Sequence, residues 1–403
     1  MSDTMGLPNC GWKEAELQEV AEVQTGPFGS QLKNEQYITG GTPVITVEHL
    51  KDFKIIDFDY PSVTEDDKNR LSKYLLKAGD IVFTRVGSVD LSAYVKEHQD
   101  GWMFSSRMLR VRSNLEVIHA RFLSYYFQQK RFREYILNIS VGATMPSINT
   151  EILKGIPISY PTLPEQTAIA SILSSLDDKI DLLHRQNATL EKMAETLFRQ
   201  WFVEEADEGW EITTLFDAIE LIGGGTPKTS IDEYWNGNIK WLSGGDIVSS
   251  HKSIVTTSVK SITERGLKNS SAKLIPKFST VISARGTVGK YCILSEPMTY
   301  SQSNYGIKPK FRNCYFFTYL LINHSVDELS SAAYGSVFDT ITTNTFKGME
   351  MSIPPEIDIQ AFENKIEPYF LKILNNQFQI DTLEKLRDTL LPKLMSGEVK
   401  VEG

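Results

Sequence analysis

Two glycine-rich stretches that end in lysine are the first places in this chain where chemistry could reside. One is Gly223-Gly224-Gly225-Thr226-Pro227-Lys228 and the other is Arg285-Gly286-Thr287-Val288-Gly289-Lys290. A Walker-type phosphate loop needs Gly, four residues, then Gly-Lys followed by Ser or Thr. Around Lys290 the leading position is Ala284 and the residue after the lysine is Tyr291, so two elements fail. Around Lys228 the preceding Pro227 lacks the N–H that a bound phosphate would use. Tight turns at strand ends, or backbone approach to a nucleic-acid phosphate, suit both stretches better than nucleotide binding.

Other catalytic signatures are missing. There is no His-Glu-x-x-His, no Gly-x-Ser-x-Gly and no strand-borne Gly-x-Gly-x-x-Gly. Neither an amino-methyltransferase signature (Asn/Asp-Pro-Pro-Tyr/Phe) nor a nuclease-type Asp…Glu-x-Lys stands in a credible setting. The six histidines are scattered, and Cys10, Cys292 and Cys314 have no paired spacing, so neither a metal centre nor a disulfide framework is expected. Asp66/Asp67 and Asp177/Asp178 read as solvated surface. The chain reads as a binding module with no catalysis and no cofactor of its own. Its polar N-terminus and the lack of any apolar run long enough for a bilayer point to a cytoplasmic protein without a membrane partner.

Net charge is −9, which by itself argues against an anionic partner. The distribution argues otherwise. Residues 107–133 hold seven basic residues and one acid, and residues 252–290 hold eight and one. One such cluster in each half, on an otherwise acidic protein, favours nucleic acid.

The elements that must position these loops are dominated by two long helices. From 165 to 202 there is neither Gly nor Pro, and apolar residues recur with a four-three step from Ile169 through Leu173, Leu176, Ile180 and Leu183 to Trp201. That is a coiled-coil seam, with Asn187 as its lone polar member. At 1.5 Å per residue it spans roughly 57 Å. Sliding the chain by 193 positions gives a second seam from Phe362 to Leu394, with Asn376 among its members. Leu190-Glu191-Lys192-Met193 aligns with Leu383-Glu384-Lys385-Leu386, and Lys154-Gly155 with Lys347-Gly348. A shift of nearly half the chain means duplication. Antiparallel pairing with Asn187 opposite Asn376 sets residue i against 563−i, placing Trp201 on Phe362, Ala194 on Tyr369 and Leu173 on Leu390. Leu176 on Arg387 is the poor layer, and Pro392 makes Leu394 the weakest seam member, with Gly397 as terminator.

The chain then reads as a first α+β domain (1–163), a central long helix (164–205), a second α+β domain (206–355) and a C-terminal long helix with its tail (356–403). In the first domain, strands are expected at 44–47, 81–84 and 108–111, and an aromatic helix at 118–129. The loop after 81–84 is Arg85-Val86-Gly87-Ser88; its counterpart in the second domain follows Val281 to Ala284 and begins at Arg285.

Several of these stretches resemble the specificity (S) subunit of type I restriction–modification systems. They are Thr25-Gly26-Pro27-Phe28-Gly29-Ser30 with Tyr37 and Gly41-Thr42-Pro43-Val44, then Gly224-Gly225-Thr226-Pro227-Lys228 with Tyr234-Trp235-Asn236-Gly237. The helix boundaries Pro161-Thr162-Leu163-Pro164-Glu165-Gln166 and Leu197-Phe198-Arg199-Gln200-Trp201-Phe202, and the tail from Leu391 to Val399, are similar too. The resemblance implies two duplicated target-recognition domains separated by two long helices in an antiparallel coiled coil. Each domain would read one half of a split site in double-stranded DNA.

It also implies partners: two adenine-N6 methyltransferase subunits, which bind S-adenosylmethionine, and restriction subunits that use ATP and Mg. A system with a fused methylase–nuclease partner has the same layout, and a coiled-coil adaptor that never touches DNA is a separate reading. Base readout in the major groove calls for Arg on guanine and Asn or Gln on adenine. The expected DNA contacts are therefore Arg85, Ser88, Arg107 and Arg110 in the first domain, and Lys228, Arg285, Lys290 and Gln302 in the second.

Overall fold

The computed structural model describes residues 11–56, 58–142, 144–334 and 340–401. Cys10 lies outside them. The chain divides into two compact units, Met1–Lys179 with Leu383–Gly403, and Ile180–Thr382.

The first unit uses strands β1 (Lys13–Glu16), β2 (Ala21–Thr25), β3 (Thr42–Ile45), β4 (Ser62–Val63), β5 (Ile81–Thr84), β6 (Ser92–Tyr94), β7 (Met103–Phe104), β8 (Met108–Ser113) and β9 (Pro157–Tyr160). β1 and β9 pair antiparallel, with Lys13 opposite Tyr160, which closes the recognition segment on itself. The main sheet runs β2-β8-β5-β6, all antiparallel. Its Ile81-Val82-Phe83-Thr84 strand is buried along its whole length, so it lies between two covered faces and carries no polar–apolar alternation. A smaller sheet runs β4-β3-β7, with β3 and β7 parallel. Helices α1 (Ala120–Gln128) and α2 (Lys130–Ile139) follow, and the second of these falls where the sequence pattern gave no helix. Phe83 packs edge-on against Phe127 at 4.7 Å and ties α1 to the sheet.

The second unit repeats this plan with β10 (Glu211–Thr214), β11 (Ile219–Gly223), β12 (Trp235–Leu242), β13 (Ile254–Val255), β14 (Lys260–Ile262), β15 (Thr280–Ser283), β16 (Tyr291–Leu294), β17 (Thr299–Tyr300), β18 (Asn304–Pro309) and β19 (Glu350–Ile353). β10 pairs with β19. The main sheet is β11-β18-β15-β16-β13, and the smaller one is β14-β12-β17 with β12 and β17 parallel.

The long helices are α3 (Leu163–Arg199), extended by a wider π turn at Gln200–Glu204, and α5 (Glu356–Met395); α4 (Tyr315–Tyr334) precedes α5. α5 carries Pro368 and Pro392 and still continues to Met395, each proline forgoing one intrahelical N–H bond. Leu394 is consequently not a weak seam member: it is 1% exposed and belongs to the core of the first unit. Gly397, at φ 68°, stops the helix with its N–H on the Leu394 carbonyl at 3.2 Å.

Within each unit the helix segments pair antiparallel. In the second unit the Trp201 and Phe362 rings lie 5.6 Å apart, and Asn376 Nδ2 donates to Asn187 Oδ1 at 2.8 Å. In the first unit Leu173, Leu390 and Leu394 share one core. Arg387 avoids Leu176 by turning to Asp177, 3.2 Å away, whose other oxygen accepts the Tyr125 hydroxyl at 2.6 Å. The poor layer is thus repaired by an ion pair.

The same helices anchor the recognition segments. Fully buried Gln166 of α3 accepts the His119 N–H at 2.8 Å, capping α1. In the second unit Glu363 of α5 accepts the Phe316 and Phe317 N–H groups at 3.0 and 2.7 Å, capping α4. Burial pushes the Glu363 carboxyl up to about 7 against the pull of those donors.

Candidate nucleic-acid interface

Four loops of the first unit converge on Arg85. Its N–H donates to the Arg107 carbonyl at 2.8 Å, and its carbonyl accepts the Ile148 N–H at 2.9 Å. Its guanidinium reaches Thr25 Oγ1 at 3.4 Å and lies over the Phe28 ring at 5.8 Å. Thr84 Oγ1 donates to the Ser88 carbonyl and Gly87 has φ 84°, which together make the turn after β5. Gly26 packs so closely on the 104–105 backbone that a Cβ there would overlap the Ser105 carbonyl. Arg85, exposed Ser88 and exposed Arg107 therefore come together on one loop assembly.

The second unit builds the same assembly. Ser283 Oγ donates to the Thr287 carbonyl, Gly286 has φ 81°, and a Cβ on Gly224 would overlap the Ser301 carbonyl. Ala284 N–H donates to the Ser303 carbonyl at 2.9 Å, and its own carbonyl accepts the Ile341 N–H at 3.0 Å. By these bonds Arg85 corresponds to Ala284, Val86 to Arg285 and Arg107 to Ser303. The loops correspond as wholes, yet the two arginines occupy neighbouring positions within them. Arg285, Lys228 and Gln302 are exposed, and Lys290 is half-buried at the base of its loop, where its N–H donates to Ser283 Oγ at 3.0 Å.

Arg110 is the correction among the expected contacts. It sits on β8, is 2% exposed, and donates to Glu22 at 2.8 Å and toward the Lys73 and Leu75 carbonyls. Burial, then neighbouring Arg112, lowers its pKa from the usual arginine value, against the pull of Asp80 and Glu22. A central strand of a covered sheet holds this side chain inside, so it braces the fold and offers nothing to DNA.

Much of its basic cluster is internally paired as well. Arg112 grips Asp80 with two bonds of 2.7 Å, Arg133 pairs with Asp90, and Arg121 with Asp178. In the second cluster Arg265 pairs with Glu233, while Lys273, Arg285 and Lys290 form no ion pair among the described residues.

Sequence reasoning missed the apolar side of the first loop assembly. Val141 and Met145 are 62% and 63% exposed on a hairpin fastened beside the Arg85 loop, and Phe28 is 49% exposed. Among the described residues no group of His, Cys, Asp and Glu could hold a metal, and no helix is long and apolar enough to cross a membrane.

Comparison with known proteins converges on one family. The model for the type I restriction modification DNA specificity domain matches residues 9–192 and again 207–386. The chain is 27% identical over 414 residues to the type I restriction enzyme MjaIX specificity subunit of Methanocaldococcus jannaschii, covering 97% of this chain and 94% of that protein. It is 24% identical to the HindI specificity subunit of Haemophilus influenzae, over 81% of this chain and 88% of that one. The fold is shared with the crystal structure of a type I restriction–modification S subunit from M. genitalium. That match has a TM-score of 0.63 at 15% identity and covers 98% and 97% of the two chains. A twice-matched family model and a twice-built loop assembly agree: this chain belongs to the type I restriction–modification DNA specificity family.

Proposed function

We propose that the chain directs a type I restriction–modification complex to a split DNA sequence, with each unit reading one half-site through its loop assembly. The observation that carries this reading is a scaffold in which the bonds that hold the central loop recur with different side chains on it. Arg85 against Ala284, Val86 against Arg285 and Arg107 against Ser303 give one backbone two chemistries. Two such readers recognise two different half-sites, and the long helices act as the spacer that fixes the gap.

The chemistry belongs to partners. Adenine-N6 methyltransferase subunits would bring S-adenosylmethionine, and restriction subunits ATP and Mg, in the cytoplasm where all of them meet DNA. Two copies of one methyltransferase need two like surfaces, and the helices carry a matching pair. Lys192, Met193 and Thr196 on α3, and Lys385, Leu386 and Thr389 on α5, are all exposed, with Met193 and Leu386 each at 45%. Large apolar side chains flanked by polar ones at equivalent positions suit repeated docking of the same partner.

The test is selection of bound duplexes from a random pool by the chain assembled with its methyltransferase. Enrichment of one motif split by a constant gap supports the reading. Enrichment of no motif, with the complex intact, rejects it.

A further inference from the structure

In the second unit the smaller sheet reaches α5 through a chain of polar contacts. Thr256, buried just past β13, donates its hydroxyl to Asp381 Oδ2 of α5 at 2.6 Å. The other oxygen of Asp381 accepts the Gln377 side-chain amide at 3.0 Å, which holds the carboxylate in place. The Thr256 carbonyl accepts a hydrogen bond from the Lys240 ammonium of β12 at 2.6 Å, and that ammonium also pairs with Glu296. The Lys240 carbonyl accepts the Thr299 hydroxyl of β17 at 3.0 Å. β17 then runs directly into Ser301, Gln302 and Ser303 of the loop assembly.

Packing gives this chain its importance. Ile239, Trp241 and Ile262 form one apolar cluster, while Leu242, Met298 and Tyr300 join Val281 and Leu294 in another. Neither cluster contains a residue of a long helix. Apolar packing thus joins the smaller sheet to the main sheet, and the Thr256–Asp381 bond joins it to α5. The first unit is built otherwise. Val44 stands opposite Met103 there as Trp241 stands opposite Thr299 here, so Pro43, which has no amine, occupies the place of Lys240.

A split site demands such a brace. One base pair more or less in the gap moves a half-site by about 3.4 Å and turns it by about 35°. A loop assembly free to rock on its helix would follow that displacement, whereas a braced one rejects it. We propose that Thr256 and Asp381 are positioning residues that make the second unit intolerant of a changed gap. This rests on the functional reading above and deepens it, because helix length alone fixes no gap unless the reader is held rigidly on the helix.

The experiment offers the chain assembled with its methyltransferase duplexes that carry both selected half-sites. The gap is kept at its selected length or made one base pair longer or shorter. Wild type is expected to bind the selected length best. In Thr256→Val, which keeps the shape and removes the hydroxyl, that preference should shrink about three- to tenfold. Base preference within each half-site should stay as in wild type, and Thr256→Ser, which keeps the hydroxyl, should keep the gap preference. Thr256→Val with the wild-type gap preference, or with affinity lost equally at all three lengths, overturns the proposal. So does Thr256→Ser if it behaves like Thr256→Val. If Thr256→Val does not fold, Asp381→Ala is read by the same criteria. A wild-type complex that selects no split motif would instead overturn the functional reading, before any gap is varied.

Discussion

Asn376 donates to Asn187 across the helix pair of the second unit at 2.8 Å, and both side chains are buried, at 0% and 8% exposure. The bond satisfies the Asn376 Nδ2 donor and the Asn187 Oδ1 acceptor where Leu would otherwise stand, so a slipped register would leave both groups unpaired in an apolar seam. Asn376→Ala should lower stability by about 1–3 kcal/mol, because Asn187 loses its buried partner. The double Asn187→Leu/Asn376→Leu chain should recover most of that loss and leave the register less specified. Thermal unfolding of the three chains checks the order; a single variant as stable as the double would contradict it.

Arg110 separates a structural role from a DNA-binding one. Arg110→Ala removes a buried guanidinium that anchors Glu22 and two backbone carbonyls, and should lower stability by about 2 kcal/mol. Sequence preference among bound duplexes should stay unchanged. Chemical denaturation together with duplex selection on the variant distinguishes the two roles.

Arg285 is exposed on its loop and forms no ion pair among the described residues. Arg285→Ala should weaken DNA binding by the complex and reduce the slope of log affinity against log salt by about one. Relaxed choice at one half-site would mean that it reads a base; an unchanged affinity and slope would remove it from the interface.

One buried carboxyl, Glu363, and one half-buried carboxyl, Glu191, make the second unit sensitive to pH. Burial, helped by nearby Glu195, pushes Glu191 up to about 8, and burial pushes Glu363 up to about 7. Both folded values lie above the unfolded ones, so the native state holds more protons in that window. Their contribution to stability is present below the ordinary glutamate range and is lost as pH rises through about 7 and 8. Unfolding free energies of the full chain should therefore decline from pH 5 to pH 8 more steeply than those of Glu191→Gln. Parallel profiles would contradict the assignment.

Met193→Asp and Leu386→Asp place a charge in each of the two exposed helix patches. Each variant should lose one methyltransferase copy, and the double variant both, with the folded state intact. Mass measurement of the assembled complexes reads this directly.

The sequence carried the seam because heptads depend only on spacing, and Trp201 against Phe362 follows from that arithmetic. The α+β character was legible from the short apolar runs at 81–84 and 108–111. The position of Arg110 was not, since a strand buried on both faces shows no alternation to warn that its arginine points inward. Glu22 on the neighbouring strand was the available signal. The match of Arg85 to Ala284 was hidden because the loops are offset by 199 positions while the helices are offset by 193. Insertions between them defeat any single alignment shift. Exposure of Met145 and Phe28 depends on what the fold leaves uncovered, which no local pattern encodes.

The central claim is that one chain reads a split site for a methyltransferase partner. It is tested most directly by mapping N6-methyladenine across DNA from cells that express this chain with its methyltransferase, and from cells that express the methyltransferase alone. The account predicts one bipartite motif with a fixed internal gap, methylated only when this chain is present. Identical methylation in both, at a motif the methyltransferase finds unaided, would contradict it.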